Sequence, residues 1–203
     1  MNFKDKFSKN ERRVNVEDAG MVHELSAYLE EWLPEKDVII ACIGTDRSTG
    51  DAFGPLIGSM LEEQTLHTFQ IYGTLEHPLH ALNLNERMKT IHRAHQEPFI
   101  LAIDACLGKS TSVGCVSLGK GTIAPGAALK KELPPVGDLH ISGMVNVSGF
   151  MEYVVLQNTR LHTVMKMAAK VAAAIQLTDS VRAKSKPRVP YQTITIRPKK
   201  QQL

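Results

Sequence analysis

Two aspartates stand where a parallel α/β sheet would present its ligands. Asp51 lies in Gly44-Thr45-Asp46-Arg47-Ser48-Thr49-Gly50-Asp51-Ala52-Phe53-Gly54-Pro55, which follows the apolar run Val38 to Ile43, and Asp104 closes the apolar run Phe99-Ile100-Leu101-Ala102-Ile103. In an open α/β sheet ligands bind beyond the carboxyl ends of the strands, so acids from two strand ends can converge on one water molecule. Like charges held close raise one pKa, and the pair, sharing one proton, then offers both a general base and a general acid. Asp51 taken alone has a second reading, since an acid at a helix start also caps free N–H groups and meets the positive end of the macrodipole.

The residues around these acids suggest how a substrate would be held. Thr45, Asp46, Arg47 and Ser48, with the Gly44 to Gly50 backbone, form a strand-to-helix loop of binding candidates. Nucleotide binding is disfavoured, because the loop lacks both the Walker Lys-Ser/Thr and the G-x-G-x-x-G spacing, and Asp46 and Asp51 would repel a phosphate. His80, in Glu76-His77-Pro78-Leu79-His80, is a further binding candidate after the second strand. His140, in Val136-Gly137-Asp138-Leu139-His140-Ile141-Ser142-Gly143, reads as part of a loop leading to a helix, where it could orient a carboxylate, act as a base or complete a metal site. Cys106 shares the face of Asp104 if the strand continues, and reads as a small buried hydrophobe rather than a catalytic thiol. The pair His92 and His95 reads as helix surface, and no G-x-S-x-G elbow is present.

The elements that must position these groups follow from periodicity. Glu17 to Leu33 is expected to be a helix stopped by Pro34, with Met21, Leu25, Leu29 and Leu33 at helical spacing. Val38 to Ile43 is apolar on both faces, as in a covered central strand. A helix over Pro55–Gln64, a strand over Thr68–Leu75, a helix over Ala81–His95 and a strand over Phe99–Ile103 continue the alternation, which implies right-handed crossovers and a mainly parallel sheet. Residues 113–124 read as an edge or antiparallel strand and 125–143 as a Pro- and Gly-rich loop. Two helices, over Asn146–Gln157 and Thr159–Leu177, are expected to follow.

Charge and composition bound the class. The longest apolar stretches fall far short of the roughly 20 residues that cross a bilayer, so no membrane span is expected. The N-terminal residues carry charges where a secretory signal would be apolar, and three cysteines show no C-x-x-C spacing; both point to the cytoplasm with reduced thiols. Residues 181–203 hold seven basic residues and no acid, against 17 basic and 21 acidic residues in 1–180, a net of −4. This divides the chain into a charged extension over 1–15, one domain over 16–180 and a solvated basic tail over 181–203, with nucleic acid not expected as a partner.

Gly44 to Pro55, Tyr72-Gly73-Thr74-Leu75 and Ala102-Ile103-Asp104-Ala105 together resemble the YyaC family of sporulation proteins, described as spore proteases, over roughly Val38 to Leu177. More distantly the chain resembles the germination protease of spore formers and the hydrogenase maturation endopeptidases. The resemblance implies a three-layer α/β/α sandwich around a mainly parallel sheet, of the phosphorylase/hydrolase-like kind. From the germination protease it implies that Asp51 and Asp104 are the paired acids of an aspartate-type peptidase. From the hydrogenase peptidases it implies that Asp51, Asp104 and His140 match three nickel-binding positions. The leading expectation is a cofactor-free endopeptidase in the cytoplasm of a sporulating cell or spore, acting on a peptide or protein such as a spore protein. The rival is a maturation peptidase that grips nickel or zinc with Asp51, Asp104 and His140; a third reading is a non-catalytic peptide- or protein-binding module of the same fold.

Overall fold

The computed structural model describes residues 10–125 and 134–185. Six strands form one sheet in the order β1-β5-β6-β4-β2-β3. Its parallel part comprises β2 (Val38–Cys42), β3 (Phe69–Tyr72), β4 (Phe99–Gly108) and β6 (Leu139–Val147). β5 (Cys115–Lys120) runs antiparallel to β6, and β1 (Glu11–Asn15) antiparallel to β5 at the edge. The helices are α1 (Met21–Trp32), α2 (Phe53–Glu62), α3 (Leu84–Ala94), α4 (Glu152–Gln157) and α5 (Leu161–Ser185).

Alternation along the strands divides the core in two. Val38, Ile40, Cys42, Leu101, Ile103 and Ile141 point to the face packed by α1, α2 and α5, whereas Ile39, Ala41, Ile43, Ile100 and Ala102 meet Leu84 and Ile91 of α3. The result is the expected α/β sandwich. Among the described residues no helix is long and apolar enough to cross a membrane.

Three expectations change. Residues 11–15 are not part of a loose extension: Glu11↔Gly119 through Asn15↔Cys115 pair in register, with Val14 buried and charged neighbours on the exposed edge, where charge guards against further pairing. Leu139 to Val147 is a strand rather than a loop and the start of a helix, because Leu139, Ile141 and Val145 are buried on one face at period two. Residues 181–185 of the supposed tail continue α5, and the remainder of the tail lies outside the described residues.

That continuation of α5 has a physical cause. Asp179 is 1% exposed and accepts hydrogen bonds from His67 N–H (2.8 Å), Thr68 N–H (2.7 Å) and the Thr68 hydroxyl (2.7 Å). One turn later the Arg182 guanidinium donates to the Pro34 carbonyl at 2.6 Å and lies over the Phe69 ring. The end of α5 thus ties the entry of β3 to the exit of α1. Asp179→Ala strips three donors of a charged acceptor and is expected to cost about 2–4 kcal/mol, read from the shift of a urea unfolding midpoint at unchanged slope.

Candidate active site

The sheet opens between β2 and β4. From β2 the chain crosses by α2 to β3 on one side, then by α3 to β4 on the other, which makes the gap beyond these two strands a topological switch point. β4 pairs with β2 only as far as Ile103; from Asp104 onward it pairs with β6 alone. Asp104 is therefore not the end of its strand, as the sequence suggested. It is the first residue of β4 after β2 has left, on the face that carries α3.

The loop after β2 brings Asp51 to the same opening. Gly44 has φ +145°, and a Cβ there would lie 1.9 Å from the Asp51 carbonyl oxygen, so the loop can double back only on glycine. Thr45 N–H then donates to the Asp51 carbonyl (3.2 Å) and Ala52 N–H to the Ser48 carbonyl (3.0 Å). The Phe53 ring seats the start of α2 over Gly143 of β6, where a Cβ would come within 2.6 Å of the ring. Among the described residues no side chain caps α2, so the capping reading of Asp51 does not apply.

Two further segments close the site. Ile43 bridges Leu79 in parallel, and Gly44 N–H donates to the Leu79 carbonyl at 2.8 Å, which draws residues 78–82 alongside the loop. Gly50 N–H donates to the Leu156 carbonyl at 2.9 Å and brings α4 against it. The resulting cleft has a volume of about 300 Å³ and is lined by Thr45, Asp46, Arg47, Ser48, Asp51, His80 and Asp104, with Leu82 and Tyr153 on its apolar side. Sequence reasoning nominated all seven of the polar residues. It missed Leu82 and Tyr153, both expected within helices, because an apolar residue carries no sequence signal that its side chain is left exposed.

Electrostatics separates the two acids. Burial pushes the Asp104 carboxyl up to about 8, the Asp51 charge adds to the rise, and a hydrogen bond from Ala105 N–H (2.9 Å) opposes it. Asp104 as a residue is nevertheless only partly buried. Asp51 is also raised, by burial, and the nearby Ser48 hydroxyl holds that rise back. That hydroxyl is itself buried, Ser48 being 5% exposed. At neutral pH Asp104 is held as a carboxylic acid, with Asp51 near enough for its charge to act on it. Cys106 shares the Asp104 face and is only half-buried; burial first and the Asp104 charge second push its thiol up to about 12, far from thiolate chemistry.

The two histidines differ. His80 Nδ1 accepts the Leu82 N–H at 3.2 Å, so the neutral ring carries its proton on Nε2 and serves the cleft as a donor. His140 is on β6, its ring lying over Gly119 of β5, where a Cβ would be 2.5 Å from Nε2, and its Nδ1 bonds the Gly121 carbonyl at 2.9 Å. It does not line the cleft. Among the described residues no group of three His, Cys, Asp or Glu side chains is placed to hold a metal, so the set Asp51, Asp104 and His140 does not fit one.

A family model described as "Protein of unknown function (DUF1256)" matches residues 13–174. The chain belongs to the DUF1256 family. This family member is 47% identical over 195 residues to the uncharacterized protein YyaC of Bacillus subtilis (strain 168), covering 93% of its own length and 95% of the relative. Among solved structures it is similar to the NiFe hydrogenase maturation protease HycI from Thermococcus kodakarensis KOD1, with a TM-score of 0.54 at 18% identity over 75% of this chain and 99% of that one. At that identity the likeness carries the fold: this DUF1256 protein has a peptidase-like fold.

Proposed function

We propose that this chain is a sporulation-associated endopeptidase in which Asp51 and Asp104 share one proton to hydrolyse a peptide bond, working in the cytoplasm on a protein substrate. The carrying observation is that both carboxyls line one cleft, where burial raises both and the Asp51 charge raises Asp104 further. The association with sporulation is what the resemblance of the Gly44 to Pro55 motif to the YyaC family implies, the YyaC relative itself being uncharacterized.

In this reading Asp51, ionised, takes a proton from a water molecule as its oxygen attacks the carbonyl carbon, while Asp104 gives its proton to the carbonyl oxygen. The neutral diol then collapses: Asp51 returns its proton to the amide nitrogen, the C–N bond breaks, and a diol hydroxyl returns its proton to Asp104. His80 Nε2–H is a donor for the substrate carbonyl, the Ser48 hydroxyl supports Asp51, and Thr45, Asp46 and Arg47 form the wall along which the peptide runs. No step passes through His140 or a metal ion.

The test is incubation of the purified full chain with spore-protein extract and with synthetic peptides, reading new termini by mass spectrometry. Cleavage is expected; a chain that retains peptides and cuts none would be a binding module. On a peptide that is cut, His80→Gln should lower kcat by about 10²-fold through loss of one oriented donor. His140→Ala and a chelator should each have little effect, whereas loss of cleavage in both would favour the metal-dependent mechanism.

A further inference from the structure

We propose that the segment taken by this cleft carries a bulky apolar side chain, held between Leu82 and Tyr153 beside the bond attacked. The inference rests on the endopeptidase reading and adds a substrate class to it. Leu82 is 80% exposed, on the turn between β3 and α3, with its backbone N–H spent on His80. Tyr153 is 48% exposed on α4, its hydroxyl accepting a hydrogen bond from Gln157 at 2.7 Å, which fixes the ring. Both line the cleft that holds Asp51 and Asp104.

Single exposed apolar side chains need no explanation, whereas a cluster along one margin of a polar cleft marks a binding surface. Next to Tyr153 in the chain, outside the cleft lining, Phe150 (91% exposed) and Met151 are also exposed, and the φ of +59° at Met151 is a conformation that costs a non-glycine residue free energy. A second copy of this chain is the competing occupant. It would cover the apolar margin with a folded surface, which cannot enter a cleft of this size. An extended polypeptide can, since its backbone brings donors and acceptors to the polar lining of the cleft while one side chain meets Leu82 and Tyr153. A volume of about 300 Å³ suits one side chain with its adjoining backbone and no folded element.

The experiment uses the immobilised full chain and an equimolar set of blocked octapeptides identical but for one central residue, set in Gly, Ser and Asn. Retention and cleavage are both read by mass spectrometry. Peptides with Leu, Phe or Met should be retained at least about 10-fold over those with Ser, Asp or Lys, the discrimination one apolar pocket provides. Leu82→Ser and Tyr153→Ser, both at exposed positions, should keep the thermal melt of the parent and bring retention towards parity. Absent or equal retention, or a preference that survives both substitutions, overturns the proposal. So does sedimentation showing a dimer that Phe150→Ser dissociates. Preference without cleavage leaves the inference standing and defeats the peptidase reading, while cleavage without preference does the reverse.

Discussion

Replacing Asp104 by Asn is expected to lower kcat/KM for peptide cleavage by about 10³–10⁴-fold, with Asp51→Asn causing a loss of the same order. Asn keeps the size of the side chain and an oxygen for the Ala105 N–H, so the local course of β4 is preserved. What it removes is the exchangeable proton. With Asn at 104 no acid remains to protonate the carbonyl oxygen; with Asn at 51 no base remains to take a proton from water. Because each half of the cycle needs both groups, the double variant should be scarcely slower than either single one. Initial rates on a peptide cut by the parent decide this, with circular dichroism melts to verify the fold. A loss confined to one aspartate would show that the acids do not act as a pair.

That pair was legible in the sequence because the grammar of parallel α/β sheets fixes where strand ends lie, whatever the exact lengths. Val38 to Ile43 and Phe99 to Ile103 are apolar on both faces, and such runs are central strands with functional groups just beyond them. The Gly44 to Ser48 loop and His80 followed from the same rule. His140 did not. Pro134, Pro135 and Gly137 precede it, and the period-two signal of Leu139, Ile141 and Val145 is diluted on the other face by Ser142 and Asn146, so a strand beside the site read as loop. The role expected for His140 fell with its element: in a strand its ring is turned over Gly119, towards β5 and away from β4.

The ends of the chain misled for a different reason. Glu11, Arg12 and Arg13 read as solvated charge, yet an edge strand is where a sheet tolerates charge, and the buried partners Val14 and Val16 are too few to give a periodic signal. Arg182 read as tail, yet it is 8% exposed, because a carbonyl 148 residues earlier and the Phe69 ring receive it. Such long-range partners have no local signature. Sequence pattern reports which face of an element is apolar; it is silent on which distant backbone group a buried charge will find.

The acid pair also leaves a mark on stability that requires no substrate. Asp104 has its pKa raised from 3.8 to about 8 in the folded chain. A raised carboxyl pKa means that between these values the unfolded chain ionises the group while the folded chain keeps it protonated. The unfolded state then holds fewer protons, and stability falls as pH rises. The loss should begin near pH 4, accumulate to about pH 8 and then level off. At about 1.4 kcal/mol per unit the full shift sets a ceiling near 6 kcal/mol, and the partial exposure of Asp104 brings the expected loss to about 2–3 kcal/mol. Asp104→Asn removes the ionisation altogether, so at pH 8 this inactive variant should be more stable than the parent by about that amount, and nearly equal to it at pH 4. Asp51→Asn should remove the second cause of the rise, leaving burial, and shift the levelling-off to lower pH. Urea unfolding at intervals from pH 4 to 9 reads all three chains. The same proton governs the alkaline limb of cleavage, since Asp104 must hold it to act as the acid. The fall of kcat/KM and the end of the stability slope should therefore coincide near pH 8, as titrations of one coupled pair. Two well-separated pH values would mean that the buried carboxyl and the catalytic acid are different groups.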